Sequence, residues 1–136
     1  VKKINMNTKL DKILAEISAG ELIDKITILE IKKVKITDKN KLGAVVKELE
    51  SLNETLKNNI SDLSKITKFK EDLKNINLKL WDIEIGKRNS EKKQNFGKDF
   101  IQLARNVYKF NDERAKIKLA INEVLGSSIK EVKSHF

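Results

Sequence analysis

The fold is decided by residues 96–124, which read FGKDFIQLARNVYKFNDERAKIKLAINEV. Apolar side chains recur along this stretch at alternating intervals of four and three residues, and Arg114 is the one charged residue in the series. An α-helix returns to the same face at this interval. The stretch therefore predicts a helix over 98–125 with a single apolar seam.

The same spacing predicts three further helices, over about 19–36, 39–60 and 65–94. The first is rich in Ile and Val and also permits a strand, but its length and its lack of strict alternation favour a helix. Sustained spacing of this kind is typical of coiled coils, and short connections favour antiparallel neighbours. We therefore predict an all-α protein: an elongated, antiparallel, coiled-coil-like bundle of about four helices, whose second, third and fourth helices are neighbours.

The ends of the helices are also marked in the sequence. Ser18 and Glu21 form a capping box, in which each side chain satisfies a free backbone N–H of the first turn. Asp38 supplies the second N-cap, and Gly97 and Gly126 stand where helices commonly stop. We expect three parts: an N-terminal arm (1–17), a helical bundle (18–126) and a C-terminal tail (127–136).

The composition excludes several kinds of site. The 136 residues include no proline, five glycines, no cysteine and one histidine, His135. So few turn-forming residues argue against a sandwich or barrel. The absence of cysteine excludes disulfides and thiolate metal sites within the chain, and one histidine in the tail excludes a zinc site built on histidines or a Ser-His-Asp triad. We expect no metal site, no cofactor and a solvated His135.

The formal charge of +9 raises nucleic acid as a partner. The basic residues are 26 lysines and three arginines, and they are spread along the chain rather than concentrated. Proteins that bind nucleic acids usually concentrate positive charge on one surface, use arginine and place aromatic residues among the basic ones. A solvated basic surface is therefore the favoured interpretation, and nucleic-acid binding rests on charge alone.

The sequence predicts a cytoplasmic protein without a membrane span. No stretch approaches the roughly 20 apolar residues that a spanning helix needs. The first residues, VKKINMNTKL, lack the apolar core of a secretory signal. Residues 9–17 fit either a short helix or an extended segment.

A second apolar stripe lies outside the predicted seams. It consists of Leu78, Trp81, Ile85, Ile101 and Tyr108. Exposed apolar area is a liability for a monomer, so either the first helix or another copy of the chain must cover it. We expect a homo-oligomer, with a dimer favoured, and allow for a further protein partner.

Arg114 is the most informative candidate for a site. It occupies a seam position in a chain with few arginines, which indicates that its planar, bidentate guanidinium matters. A charge in that position needs a carboxylate, and the candidates are Asp24, Glu30 and Glu84. The favoured interpretation is a buried ion pair that fixes the register of the helices. The alternative is an arginine that holds an anion in a cleft between helices.

Further polar residues lie at the start of the first helix. Glu21, Asp24 and Lys25 occur within its first turns, where capping and the helix dipole explain the acidic residues. An acid–base or metal site would need a second acidic cluster folded against them, and this enzymatic interpretation is less favoured. The pairs available for it are Asp82 with Glu84 and Asp112 with Glu113.

Trp81 and Asn111 complete the candidates on the third and fourth helices. A lone Trp on a bundle usually belongs to the core or to an oligomer interface, and a platform that stacks a sugar or a base is the alternative. Asn111 precedes Arg114 by three residues, so both lie on one face of the predicted helix.

Residues 18–32, SAGELIDKITILEIK, resemble the G-E-L-x-D-K-x-T-I-L-E-x-K signature of a small, all-helical bacterial family of unknown function. Later landmarks of that family resemble residues 80–84, 96–97, 107–114 and 121–122. The resemblance implies a cytoplasmic protein without assigned activity, often encoded near glycosyltransferase and surface-polysaccharide genes. It also implies a shared site or ion-pair network among the matched polar residues Glu21, Asp24, Lys25, Glu30, Asn111, Asp112 and Arg114.

Three functions follow, in order of preference. The first is a non-enzymatic helical interaction or accessory protein, with surface-polysaccharide synthesis as the process that the resemblance implies. The second is a binding protein or enzyme for an anionic sugar compound such as a nucleotide sugar, built on Lys25, Trp81 and Arg114. The third is nucleic-acid binding through a basic surface.

Overall fold

The computed structural model describes residues 10–129 and 132, and in them the chain forms four α-helices and no strand. The helices are α1 (Ala19–Lys35), α2 (Lys39–Asn59), α3 (Thr67–Lys93) and α4 (Lys98–Leu125). The prediction of an all-α protein is confirmed, and each helix begins and ends within two residues of its expected limits. None of these helices is long and apolar enough to cross a bilayer. His135 lies outside the described residues.

The helix ends follow the capping chemistry of the sequence, with one correction. Ser18 and Asp38 cap α1 and α2 by accepting a backbone N–H three residues further on, at 3.1 and 3.0 Å. Gly126 ends α4 in the left-handed conformation, with φ 65°. The expectation that Gly97 ends the third helix is wrong, because α3 is capped after Lys93 by Gln94, with φ 52°, and Gly97 instead precedes α4. The side-chain amide of Gln94 donates to a carbonyl of the last turn at 2.8 Å, which supports this conformation.

The connection between α2 and α3 is ordered by a local turn. Ser64 donates its hydroxyl and its backbone N–H to the Asp62 carboxylate, at 2.6 and 2.9 Å. These hydrogen bonds favour the ionised carboxylate and lower the pKa of Asp62. The turn separates the two helices where the sequence predicts an interruption.

α3 and α4 form an antiparallel hairpin. Gly86 of α3 faces the Leu103 side chain of α4, and the Lys79 ammonium lies 5.1 Å from the centre of the Phe110 ring. Between these two contacts the residue number decreases along α3 and increases along α4, as it does in antiparallel helices. With 27 and 28 residues at 1.5 Å per residue, the two helices are each about 40 Å long.

α1 lies across this hairpin and contacts both of its helices. Its first turn packs on the end of α4, where the Gly20 N–H donates to Asn122 Oδ1 at 2.6 Å and the Ala19 N–H to Ser127 Oγ at 3.2 Å. Its second half packs on the start of α3, where Glu30 pairs with two lysines at 3.5 and 3.6 Å. α1 is therefore the centre of the protein.

α2 packs against α1 and, within the described part of the chain, not against α3 or α4. The expectation that the second and third helices are neighbours is therefore wrong. Residues 36–38 alone join α1 to α2, whereas the longer segment 60–66 separates α2 from α3. α1 can receive several helices because its buried apolar side chains surround the helix rather than form one stripe. They are Leu22, Ile23, Ile26, Leu29 and Ile31.

The buried core occupies one end of the hairpin. Its side chains come from α1, α2, α3 up to Ile83 and the last turns of α4 from Ile121. In the described residues 84–93 and 98–120 no side chain is fully buried. The exposed large apolar residues of the hairpin and its connection are Ile85, Phe96, Ile101, Tyr108, Leu119 and Val124. α1 thus covers the predicted second stripe only in part, and Phe96 and Val124, which were expected on a seam, are exposed.

Two glycines in helices provide a matched pair of stability tests. A Cβ on Gly20 would overlap the carbonyl oxygen of Lys118, because α1 and α4 approach closely there, whereas a Cβ on Gly43 meets nothing within 4 Å. We expect Gly20→Ala to destabilise the protein by about 1–3 kcal/mol through overpacking. We expect Gly43→Ala to stabilise it by about 0.5–1 kcal/mol, because alanine is the better helix former. Guanidinium denaturation measures both; a Gly20→Ala protein as stable as the wild type would contradict the close approach.

Candidate functional site

Asp24 and Arg114 form a bidentate ion pair between α1 and α4. Arg114 Nη2 donates to Asp24 Oδ2 at 2.7 Å, and Arg114 Nε lies 3.1 and 3.2 Å from the two carboxylate oxygens. The side chain of Asp24 is 1% exposed and that of Arg114 is 29% exposed. Of the three carboxylates expected as partners of Arg114, the structure pairs Asp24 with it.

Asn77 of α3 joins the same carboxylate. Its Nδ2 donates to Asp24 Oδ1 at 2.8 Å and to Thr27 Oγ1 at 2.9 Å. The Thr27 hydroxyl in turn donates to the backbone carbonyl of Asp24 at 2.8 Å. One buried carboxylate on α1 therefore connects α3 with α4, and such charge-assisted bonds in a shielded site are strong and directional.

A second ion pair lies one turn closer to the start of α1. Lys118 Nζ is 2.6 Å from Glu21 Oε2 and 3.9 Å from Asp24 Oδ2, and its side chain is largely buried. Lys25 also lies 3.6 Å from the Glu21 carboxylate, at a more exposed position. Two acidic residues of α1 thus face two cations of α4, and we refer to Glu21, Asp24, Asn77, Arg114 and Lys118 as the charged junction.

The charged junction is internally satisfied. In the described part of the chain, no buried nitrogen or oxygen of a side chain lacks a hydrogen-bond partner. A buried carboxylate without partners would be strongly unfavourable. The junction therefore holds α1 on the hairpin at a defined rotation and height.

Arg114 also borders an open groove. The second edge of its guanidinium carries Nη1, whose contact with Asn111 Oδ1 is long, at 3.4 Å. The groove measures about 220 Å³ and runs between α1 and α3. It is lined by Ile28, Ile31, Asn77, Leu80, Trp81, Glu84 and Arg114. Arg114 thus serves the ion pair and also borders a groove lined by aromatic and aliphatic side chains.

Residues 13–135 match a protein family described as a family of unknown function, DUF6165. The chain belongs to this family. The match covers all four helices and every residue of the charged junction. No curated protein and no solved structure matches the chain.

The structure brings half of the predicted site residues together in this member of DUF6165. Glu21, Asp24, Asn111 and Arg114 lie in or beside the charged junction, and Lys25 lies at its edge. Trp81 lies in the groove that Arg114 borders. The remaining two are Glu30, which pairs with lysines of α3, and Asp112, which is half-buried on α4.

Two carboxylates of the acidic clusters considered for catalysis are engaged by neighbouring side chains. The Asp24 carboxylate is held by Arg114 and Asn77, and the Glu84 carboxylate accepts a hydrogen bond from Arg88 at 2.9 Å. Within the described residues, no group of three or more His, Cys, Asp or Glu side chains could hold a metal ion. The groove, lined by Trp81, Leu80 and Arg114, is suited to an apolar or planar group beside a guanidinium.

Asn77 and Lys118 were missed as members of the site. Asn77 follows Leu73 by four residues and precedes Leu80 by three, so the helical spacing places it on the apolar side of α3, and this position was the available signal. Lys118 is one of many lysines, and its position one turn after Arg114 was the only available signal. Both become recognisable once Asp24 is known to lie against α3 and α4.

Removing the guanidinium tests the charged junction. In Arg114→Ala the Asp24 carboxylate keeps the Asn77 amide and the more distant Lys118 ammonium but loses its bidentate ion pair, and breaking a buried pair from one side costs about 3–5 kcal/mol. Because Arg114 is partly exposed, we expect a loss above about 2 kcal/mol in guanidinium denaturation. Arg114→Lys is expected to lose less than Arg114→Ala, because it keeps a positive charge beside Asp24, but it still loses stability, because an ammonium cannot reproduce the bidentate contact.

Arg88→Ala is the matched control. Arg88 forms an exposed pair with Glu84 one turn away on the same helix, so its removal is expected to change the stability by less than about 0.5 kcal/mol. If Arg114→Ala changed the free energy of unfolding as little as Arg88→Ala, the junction would not be what holds α1 in place.

Proposed function

We propose that this protein is a non-enzymatic helical interaction protein that forms a dimer and acts as an accessory factor. The observation that carries the proposal is the outer half of the hairpin, residues 84–113. It extends beyond the core, contains no fully buried side chain and exposes Ile85, Phe96, Ile101 and Tyr108. Exposed apolar surface on a long, regular helical element is typical of a docking surface.

The charged junction supports this proposal because its carboxylates are engaged by other side chains of the protein. Asp24 is engaged by Arg114 and Asn77, and Glu21 by Lys118. A general base or nucleophile must be within reach of a substrate, whereas these groups are committed to one another. Their role is to hold α1 rigidly, so that the outer half of the hairpin is presented in a fixed direction.

Self-association is the first consequence to measure. We expect sedimentation velocity to show a dimer at micromolar concentration and a concentration-dependent shift toward monomer on dilution, because burial of the exposed apolar residues drives association. A strictly monomeric chain at high micromolar concentration would contradict the proposal.

A second candidate function is supported by the groove. Trp81 and Arg114 line it together, and an indole beside a guanidinium suits a ligand that combines a stacking surface with an anionic group. A nucleotide sugar has both, and the resemblance to a family encoded near glycosyltransferase genes points to surface-polysaccharide synthesis as the process. Under this proposal the protein binds the compound for another enzyme.

Thermal unfolding with UDP-sugars tests this candidate. A ligand that binds only the native state at 100 times its Kd stabilises the protein by about 2.7 kcal/mol, so we expect the Tm to rise by several degrees. Trp81→Ala should abolish the rise. Phe96→Ala, which removes an exposed aromatic ring outside the groove lining, should preserve it. An unchanged Tm with every UDP-sugar would remove the candidate.

A further inference from the structure

The segment before α1 carries a helical pattern that no other part of the described chain covers. Residues 10–18 have no regular secondary structure. Leu10, Ile13, Leu14 and Ile17 nevertheless follow the i, i+3, i+4, i+7 spacing of one helix face. Leu14 is 89% exposed, and the other three are exposed as well. We name these four residues the apolar arm.

A second uncovered surface lies on α4. Asn122 marks the side of α4 that faces α1, because it accepts the hydrogen bond from the Gly20 N–H. Tyr108, Ala104 and Ile101 precede it by 14, 18 and 21 residues, roughly four, five and six helical turns, so they lie on the same side of the helix beyond α1. Tyr108 is 57% exposed, and Ala104 and Ile101 are exposed too.

α3 contributes Trp81 to this surface. The antiparallel register set by the contact of Gly86 with Leu103 places Trp81 level with Tyr108. Trp81 lines the groove beside Ile28 of α1, so it also lies on the side of the hairpin that α1 occupies. We define the outer hairpin face as Trp81, Ile101, Ala104 and Tyr108.

We infer that the apolar arm of one molecule folds into a helix on the outer hairpin face of a second copy. The inference rests on the proposed self-association and names the two surfaces that produce it. α1 already lies across the inner half of the hairpin, and the arm of the second copy continues that layer where α1 stops. Both surfaces are apolar, so their burial drives the ordering of the arm.

The arm cannot reach this face within its own molecule as a helix. α1 begins near the end of α4, where Gly20 bonds to Asn122, and Tyr108 precedes Asn122 by fourteen residues, about 21 Å along the helix. Residues 10–17 span only about 12 Å as a helix. An extended arm is longer, but alternate residues of an extended chain point to opposite sides, which breaks up the single apolar face.

The exchange of arms is reciprocal: each molecule of the dimer receives the apolar arm of the other. A stable interface buries roughly 1,200–2,000 Å² in total, which is more than one helix about 12 Å long can cover. Two equivalent contacts related by a two-fold axis double the buried area, and dimers of this symmetry are the commonest oligomers. The charged junction lies on α1 and the inner half of the hairpin, so it is retained in the dimer.

Sedimentation equilibrium of the full chain tests both surfaces. Leu14→Glu and Tyr108→Glu each place a charge at one surface, and both positions are exposed, so the fold is retained and circular dichroism checks it. We expect each substitution to raise the Kd of the dimer by about tenfold or more, the effect of losing a central apolar contact. Val34→Glu is the control: Val34 is 80% exposed in the last turn of α1, outside both surfaces, and the Kd should not change.

Disulfide trapping locates the contact directly, because the chain has no cysteine of its own. A mixture of Leu14→Cys and Tyr108→Cys chains is expected to form a linked heterodimer under mild oxidation. A mixture of Leu14→Cys and Val34→Cys chains gives the background rate. A single chain that carries cysteines at 14 and 108 is expected to link to a second chain rather than to itself.

The outcomes separate this inference from the proposed function. A wild-type chain that stays monomeric overturns both. A wild-type dimer that is insensitive to Leu14→Glu and Tyr108→Glu overturns only the exchange of arms. Trapping of Leu14→Cys by Val34→Cys as fast as by Tyr108→Cys, or an internal link in the chain with both cysteines, also overturns the exchange and leaves self-association standing.

Discussion

The arrangement of the four helices depends on the ion pair between Asp24 and Arg114. A carboxylate that is 1% exposed is tolerated only with partners, so α1 can occupy the centre of the protein only where α4 supplies the guanidinium and α3 supplies the Asn77 amide. Because the pair is bidentate, it specifies the rotation of α1 as well as its height along the hairpin. α2 packs on α1 alone among the helices, so its position follows from the same constraint.

The ion pair in turn requires a close approach of the two backbones. The Gly20 N–H donates to Asn122 Oδ1 at 2.6 Å, and a side chain on Gly20 would meet the backbone of Lys118. The small residue and the charged junction therefore act together: the first lets α1 and α4 come close, and the second selects one relative orientation. The G-E-L-x-D segment of α1 contains Gly20 and both acidic residues of the charged junction within five residues.

The protein has a closed half and an open half for a simple geometric reason. Two helices bury only the seam between them, and a further layer is needed to cover their remaining faces. α1 has 17 residues and spans about 25 Å, whereas the hairpin is about 40 Å long. The outer half of the hairpin consequently lacks a second layer, and the apolar arm before α1 lacks a surface to fold on. If the protein functions by interaction, the outer half of the hairpin and the apolar arm are both covered at one interface.

Local patterns in the sequence were sufficient for the helices themselves. The spacing of apolar residues located all four, the side chains of Ser18 and Asp38 marked two of their starts, and the interrupted seam singled out Arg114. These features depend on contacts within a few residues, which a periodic pattern records directly. Only the tertiary structure decided that Asp24 is the partner of Arg114, that Asn77 joins them and that α2 packs on α1. A periodic pattern specifies which face of a helix is apolar, but it carries no information on which other helix that face meets.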